Sequence, residues 1–389
     1  MGKIISIILA AIMIIVFVSF WEKASDANIE ERVGAEYNIT DESSAPLSSE
    51  DSKDIETTED TTAVEEPVET KTGIPDKKVI MFFGGDINLD QGYTNIEVYL
   101  DNERNIEQCF SSQLVQYLNS GDVFMLNSTF AFTDSRDFIS KRYTFRADPE
   151  NVDFYEKLGV DIVSLANNHV CDYGDKGLLD TLRTFDAHGI SSVGAGMDLD
   201  EASRPYYLYI NGIRIAFVSA MCSEKTIVTP EATESTAGVM KMYELEPFLG
   251  VVSEAREKAD FVVVYAHWGL ENSLTLEAEQ ITAAHALVDA GADVVIGSHT
   301  HTIQEVEYYN GKPIFYSIGD LWNSSVKTET AIIRVIINTD GSIQYSLIPC
   351  NTGDSYTAIA SSDSARAIIE RLNLSATASV SADGTVTEK

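Results

Sequence analysis

The sequence predicts an α/β protein whose globular part is a four-layer α/β/β/α sandwich of two mixed sheets. Three observations carry this prediction. Short apolar runs bounded by glycines alternate with amphipathic helical segments through the first half of the domain. Hairpins with Asn-Gly or Asp-Gly turns then break that alternation, which a plain doubly wound sheet would not allow. The 389 residues leave room for one large core once the ends are set aside.

The elements follow in order. Val79–Phe83 is a continuous apolar run ending in Gly84-Gly85-Asp86, the signature of a strand covered on both faces. Ile106, Phe110, Leu114 and Leu118 recur at helical spacing up to Asn119-Ser120-Gly121. Val123–Leu126 is a second strand, ending at Asn127. Asp148-Pro149-Glu150 opens a short helix to Gly159, and 161–165 is a third strand. Residues 177–188 are amphipathic, stopped by Gly189, and Ser191-Ser192-Val193 leads to Gly194-Ala195-Gly196. Hairpins are expected at 206–218 and 306–317 around Asn-Gly, and at 331–348 around Asp-Gly. Between them lie strands at 261–265 and 294–296, a helix ending at Lys258 and another over 276–290. A last helix covers 362–373.

The ends read differently. Ile4–Trp21 is an uncharged apolar run of 18 residues. As a helix it would span roughly 27 Å, close to the roughly 30 Å hydrocarbon core of a bilayer. Residues 1–21 are therefore expected to be a transmembrane signal-anchor. The chain would then be a single-pass membrane protein with its C-terminal domain extracellular, or a secreted one if the segment is cleaved. Residues 22–77 are expected to be a disordered acidic linker. Over 22–78 there are 17 acids against 6 bases and no Phe, too little apolar surface to offset chain entropy. The folded domain is expected over 78–375, with 376–389 a flexible tail.

The chain carries −34, of which −24 falls on residues 79–389. This excludes nucleic acid and anionic lipid as bulk electrostatic partners. An anionic substrate would need a bound cation to invert the field locally. Cys109, Cys171, Cys222 and Cys350 match no zinc or CxxC spacing and read as core or edge thiols.

Four of the six histidines lie just beyond predicted strands: His169, His267, His299 and His301. Rigid strands that end together hold several short loops together, which is where α/β folds build sites. Imidazole, carboxylate and amide oxygen without thiolate suit manganese, zinc or iron. Asp86 supplies a carboxylate at the end of the first strand, and Asn168 an amide oxygen. Asp172, three residues past His169, is placed to orient its ring. Asn88, Asn127 and Asp320 are further candidates. His188 and His285 fall within helices and read as ordinary surface residues.

Gly85-Asp86, Leu165–His169, Asp172-Tyr173-Gly174, His267-Trp268-Gly269, Gly297–His301 and Tyr316–Gly319 occur in that order. Over roughly residues 78–375 the chain resembles the CapA family of capsule-synthesis proteins, associated with poly-γ-glutamate production and similar in turn to calcineurin-like metallophosphoesterases. The resemblance implies a two-metal architecture of divalent ions, with Asp86 and His301 holding one and Asn168, His267 and His299 the other. It implies His169 as general acid or transition-state stabiliser, partnered by Asp172. Two departures stand out. Asn127-Ser128-Thr129 replaces the family's Asn-Leu-Glu, so a neutral hydroxyl stands where a bridging carboxylate is expected, and the site then holds one metal or borrows Asp134 or another acid from the loop. Gly319-Asp320-Leu321 replaces the family's later Gly-Asn-Phe and adds a carboxylate near the same edge.

Two functions compete on this reading. One is a metal-dependent hydrolase of phosphoester type. The other is a non-catalytic assembly or export factor that uses the metal to hold the carboxylates of an anionic polymer such as poly-γ-glutamate, beside other membrane capsule-synthesis proteins. A stalked adhesion domain is weaker, since it leaves the strand-end histidines unexplained. A domain near −24 should also bind such a polymer better at moderate salt and with divalent ions present.

Overall fold

The structure is a computed structural model that describes residues 77–224 and 228–389. The expected anchor and most of the expected linker lie outside the described residues. Among those described, no helix is long and apolar enough to cross a membrane.

Two large sheets organise the domain. The ten-stranded sheet places strand Val79–Ile87 between the parallel strand Val123–Ser128 and the antiparallel strand Thr328–Ile337. Ile162–Ser164 and Ser191–Val193 extend it in parallel on one side, and Ile343–Gly353 extends it on the other. The six-stranded sheet centres on the parallel strands Ile213–Met221, Phe261–His267 and Val294–Ser298. Its borders are the hairpin partners Tyr206–Ile210 and Val306–Tyr309/Lys312–Phe315.

Strand alternation assigns the faces. Val79, Met81 and Phe83 pack with Phe217, Val263 and Ile296 in a cluster that both sheets share. Phe82, Phe124 and Leu126 point the other way, against Leu114, Phe154 and Leu178. On the far side of the second sheet, Val262, Val264 and Val295 meet Phe248, Val252 and Leu287. These helical residues come from Ser112–Leu118, Asp153–Leu158 and Gly174–Ala187 on one flank, and from Leu245–Lys258 and Ala278–Asp289 on the other. The three apolar clusters separate helices, sheet, sheet and helices, the expected layering. Burial of each large aliphatic side chain in them contributes about 1.5–3 kcal/mol.

Two expectations need correction. The single helix expected from Ile106 to Leu118 is a 3-10 turn, Ile106–Gln108, followed by the helix Ser112–Leu118. The break falls where the Ser111 hydroxyl accepts the Leu114 N–H as an N-cap. The C-terminal residues are not a flexible tail. Ala378–Val380 and Thr385–Glu388 form a hairpin paired to the Ile343–Gly353 strand, with Ala378, Val380 and Val386 buried in the central cluster.

Candidate metal centre

The strands Val79–Ile87, Val123–Ser128, Phe261–His267 and Val294–Ser298 run to a common end, and the candidate residues gather there. The backbone makes room first. Pairing along the first strand shifts register between Phe83 and Asp86. At Gly85 a Cβ would come within 1.7 Å of the Gly319 carbonyl oxygen, so only glycine lets the two segments touch. The freed Gly84 carbonyl accepts the buried Tyr265 hydroxyl of the opposite sheet at 2.8 Å. The short strand Asp320–Trp322 then pairs in parallel with the first strand, setting Asp320 opposite Asp86.

Asp86, Asp320 and His301 offer ligand atoms that all lie within 4.8 Å of one another. His301 Nδ1 is 2.7 Å from Asp320 Oδ1 and 3.9 Å from Asp86 Oδ2. Asp86 is fully buried, and its Oδ1 accepts from Asn127 Nδ2 at 2.8 Å. Its Oδ2 is buried with no hydrogen-bond partner among the described residues. A buried carboxylate oxygen left orphaned costs free energy unless a cation or proton satisfies it. Burial, then the Asp320 charge, pushes the Asp86 carboxyl up to about 7, against the opposing pull of His301, Asn127 and the His299 backbone N–H. Burial works to lower His301, but Asp320, its hydrogen bond and Asp86 outweigh it and lift the ring to about 10.

The remaining ligand types form an adjoining group. His267 Nε2 lies 2.9 Å from Asn168 Oδ1, and the His267 and His299 rings are 4.5 Å apart. The buried His299 ring makes no hydrogen bond among the described residues. Burial holds both rings well below the usual histidine range, so each is neutral and keeps one nitrogen lone pair. His299 and His301 are also in the left-handed backbone region, at φ 92° and 58°, a strain of about 1–3 kcal/mol each that concentrates at functional sites. Asn127 links the two groups, its amide nitrogen lying 3.0 Å from His267 Nδ1 while it donates to Asp86.

His169 sits beside them. Its Nδ1 is 2.7 Å from Asp172 Oδ2, and Phe145 packs at 4.3 Å from its ring. The fully buried Asp172 also accepts the Phe145 N–H at 2.8 Å and Lys141 Nζ at 3.1 Å. Such a carboxylate keeps the single proton of neutral His169 on Nδ1 and leaves Nε2 as the atom that takes or gives a proton. Burial lowers the His169 pKa, opposed by Asp172 and assisted by Lys141. A neutral ring therefore prevails at pH 7, and acting as an acid first requires uptake of a second proton.

Every residue expected at the site is brought to this end of the sheets, and Asp320 joins Asp86 and His301 there. Asn88 is buried nearby, its Oδ1 accepting the Asp90 N–H and its Nδ2 unpartnered. Thr129 is the poor ligand expected, and the expected borrowing of Asp134 is not met. The Thr129 hydroxyl donates to the Ile87 carbonyl at 2.8 Å and so is spent on the backbone. Asp134 is exposed and paired with Lys176 at 2.8 Å. Lys141 was missed, and no local signal marks it: its partners in this turn lie 27 to 31 residues further along the chain. His188 and His285 pair with Glu156 and Glu307 away from the site. All four cysteines are free, with burial pushing each thiol up to about 12.

A family model described as bacterial capsule synthesis protein PGA_cap matches residues 80–325, and the chain belongs to this family. The PGA biosynthesis protein CapA of Bacillus subtilis is 32% identical over 229 residues, covering 58% of this chain and 59% of that protein. The capsule biosynthesis protein CapA of Bacillus anthracis is 31% identical over 218 residues, covering 54% and 52%. The chain thus spans between half and three-fifths of the length of these relatives. Among solved structures, a phosphatase from Mycoplasma pneumoniae aligns with 71% of this chain and 95% of its own, at 12% identity and a TM-score of 0.42.

Proposed function

We propose that this domain serves capsule or poly-γ-glutamate production through a divalent-metal centre of metallophosphoesterase type. Asp86, Asp320 and His301 would hold one ion, and Asn168, His267 and His299 would supply ligands for a second. The observation that carries this reading is the orphaned, buried Asp86 Oδ2 facing a second carboxylate and an imidazole. Oxygen and nitrogen donors without thiolate fit manganese, zinc or iron. A cation there would act as a Lewis acid on a phosphoryl or carboxylate oxygen.

The chain's own groups do the rest. Asp172 orients His169 so that Nε2 exchanges a proton with the reacting group. Phe145 covers one side of the imidazole and limits water there. Residues 1–21 would hold the domain at the outer face of the cell membrane, near other capsule-synthesis proteins.

Metal-dependent turnover of a phosphodiester reporter tests the proposal. Activity that EDTA removes and manganese or zinc restores supports it; a metal-loaded protein with no turnover of any phosphoester sinks the hydrolase. Thr129 favours a second reading, since its hydroxyl is engaged by Ile87 and brings no bridging charge. In that reading the metal holds polymer carboxylates without chemistry. His169→Ala separates the two: lost polymer output with metal retained marks chemistry, and normal output marks a holding role.

A further inference from the structure

A domain of net charge −24 should repel the anions that its site is proposed to handle, yet one segment beside the site is cationic. Residues 133–145 connect the two-residue strands Ala131–Phe132 and Arg146–Ala147 and contain no helix or strand. Structureless connections of this length are uncommon in compact domains and often carry function. In this one the first residues, Thr133 and Asp134, bond to Asp180 and Lys176 of the Gly174–Ala187 helix, and from Ile139 to Phe145 it is stapled to the turn 168–172, which bears His169. Ile139 N–H donates to the Asp172 carbonyl at 2.9 Å, and Phe145 N–H to the Asp172 carboxylate at 2.8 Å. The Lys141 ammonium donates to the Asn168 carbonyl and to Asp172.

Within 135–145 there are three cations, Arg136, Lys141 and Arg142, against one acid, Asp137. Lys141 is consumed in the anchoring. Arg136 and Arg142 are exposed, and neither pairs with a carboxylate among the described residues. A run of ring contacts leads from Arg142 to the site. Its guanidinium lies 5.1 Å from the Tyr143 ring, Tyr143 stacks with Phe145 at 6.5 Å, and Phe145 meets His169 at 4.3 Å. The guanidinium lies over the Tyr143 ring and makes no hydrogen bond to a carboxylate among the described residues, so its N–H groups are open to an oxyanion in a bidentate pair.

We infer that residues 135–145 are the substrate arm of this site, with Arg142 and Arg136 receiving an oxyanion group that the substrate carries, carboxylate or phosphate. The arm rests on the function proposed above and supplies what the bulk charge lacks, a local positive rim next to His169. Lys141 is a positioning residue that locks the arm to the turn.

The test uses the full-length, manganese-loaded protein with two probes, bis(p-nitrophenyl) phosphate and a fluorescein-labelled γ-glutamate decamer. Arg142→Gln and the Arg136→Gln/Arg142→Gln double variant alter exposed side chains, so metal content and melting temperature should stay unchanged. Expected is a rise of about three- to tenfold in KM for the reporter or Kd for the decamer, with kcat held within about twofold. The gap between wild type and variant should close at high salt. A response confined to the reporter assigns phosphate, and one confined to the decamer assigns carboxylate. Equal handling of both probes by wild type and variants, at equal metal content, overturns the arm while leaving the metal centre standing. A wild type that binds no metal defeats the proposed function, and Arg142-dependent decamer binding in that protein would still uphold the arm. A wild type that binds neither probe overturns it.

Discussion

Asp86→Asn should make the metal-free protein more stable while removing the stabilisation that the ion held by Asp86, Asp320 and His301 provides. Asp86 is buried beside Asp320, with one oxygen that makes no hydrogen bond among the described residues. Its carboxyl is raised from 3.8 to about 7. A raised folded-state value means that the stability of the apo protein is intact below the unfolded pKa and is lost as pH rises through about 7. A rise of that size is worth at most about 4 kcal/mol at pH 8. An amide in its place keeps the acceptor for Asn127, carries no charge and can donate to Asp320. A gain of about 1–3 kcal/mol in apo stability is therefore expected, read as a melting point higher by several degrees. The assay is thermal melting in EDTA at pH 5 and pH 8, repeated with manganese. The wild type should lose stability between the two pH values without metal and recover it with metal, and the variant should do neither. An Asp86→Asn variant that melts lower than wild type in EDTA at pH 8 would refute the reasoning, because Asp86 would then be stabilised by the protein alone.

Three further outcomes are expected. Asp320→Ala should weaken metal binding about 10- to 100-fold by titration calorimetry, as loss of a ligand or of the group orienting one does. His169→Ala should leave metal content intact and lower reporter turnover about 100-fold or more in steady-state assays, a deficit matching lost proton transfer. Gly85→Ala should cost more than about 3 kcal/mol or prevent folding, seen as insoluble or early-melting protein, because a methyl group there collides with the Gly319 carbonyl.

The parts of the site legible in the sequence are those that end apolar strands. Asp86, His267 and His299 each follow a run that could only be a covered strand, so their meeting could be read from local pattern. Asp320 was visible as a carboxylate but not as a partner. It sits on a three-residue strand 234 positions beyond Asp86, and pairing across a sheet leaves no trace in local periodicity. Thr129 could be seen to lack a charge, but not that its hydroxyl would be used by the Ile87 carbonyl. Lys141 lies in a segment without periodicity, where long side chains can reach in any direction. In the C-terminal hairpin, Ser and Thr dilute the alternation of Ala378, Val380 and Val386, so buried strands resemble a polar tail.

The central claim is that Asp86, Asp320 and His301 enclose a divalent cation. Anomalous X-ray scattering from a manganese-grown crystal of the protein tests it most directly. A peak within roughly 2.0–2.3 Å of Asp86 Oδ2 and of a ligand atom on each of the other two is the predicted result. A well-ordered Asp86 with water or nothing at that point, in protein saturated with manganese, would contradict it.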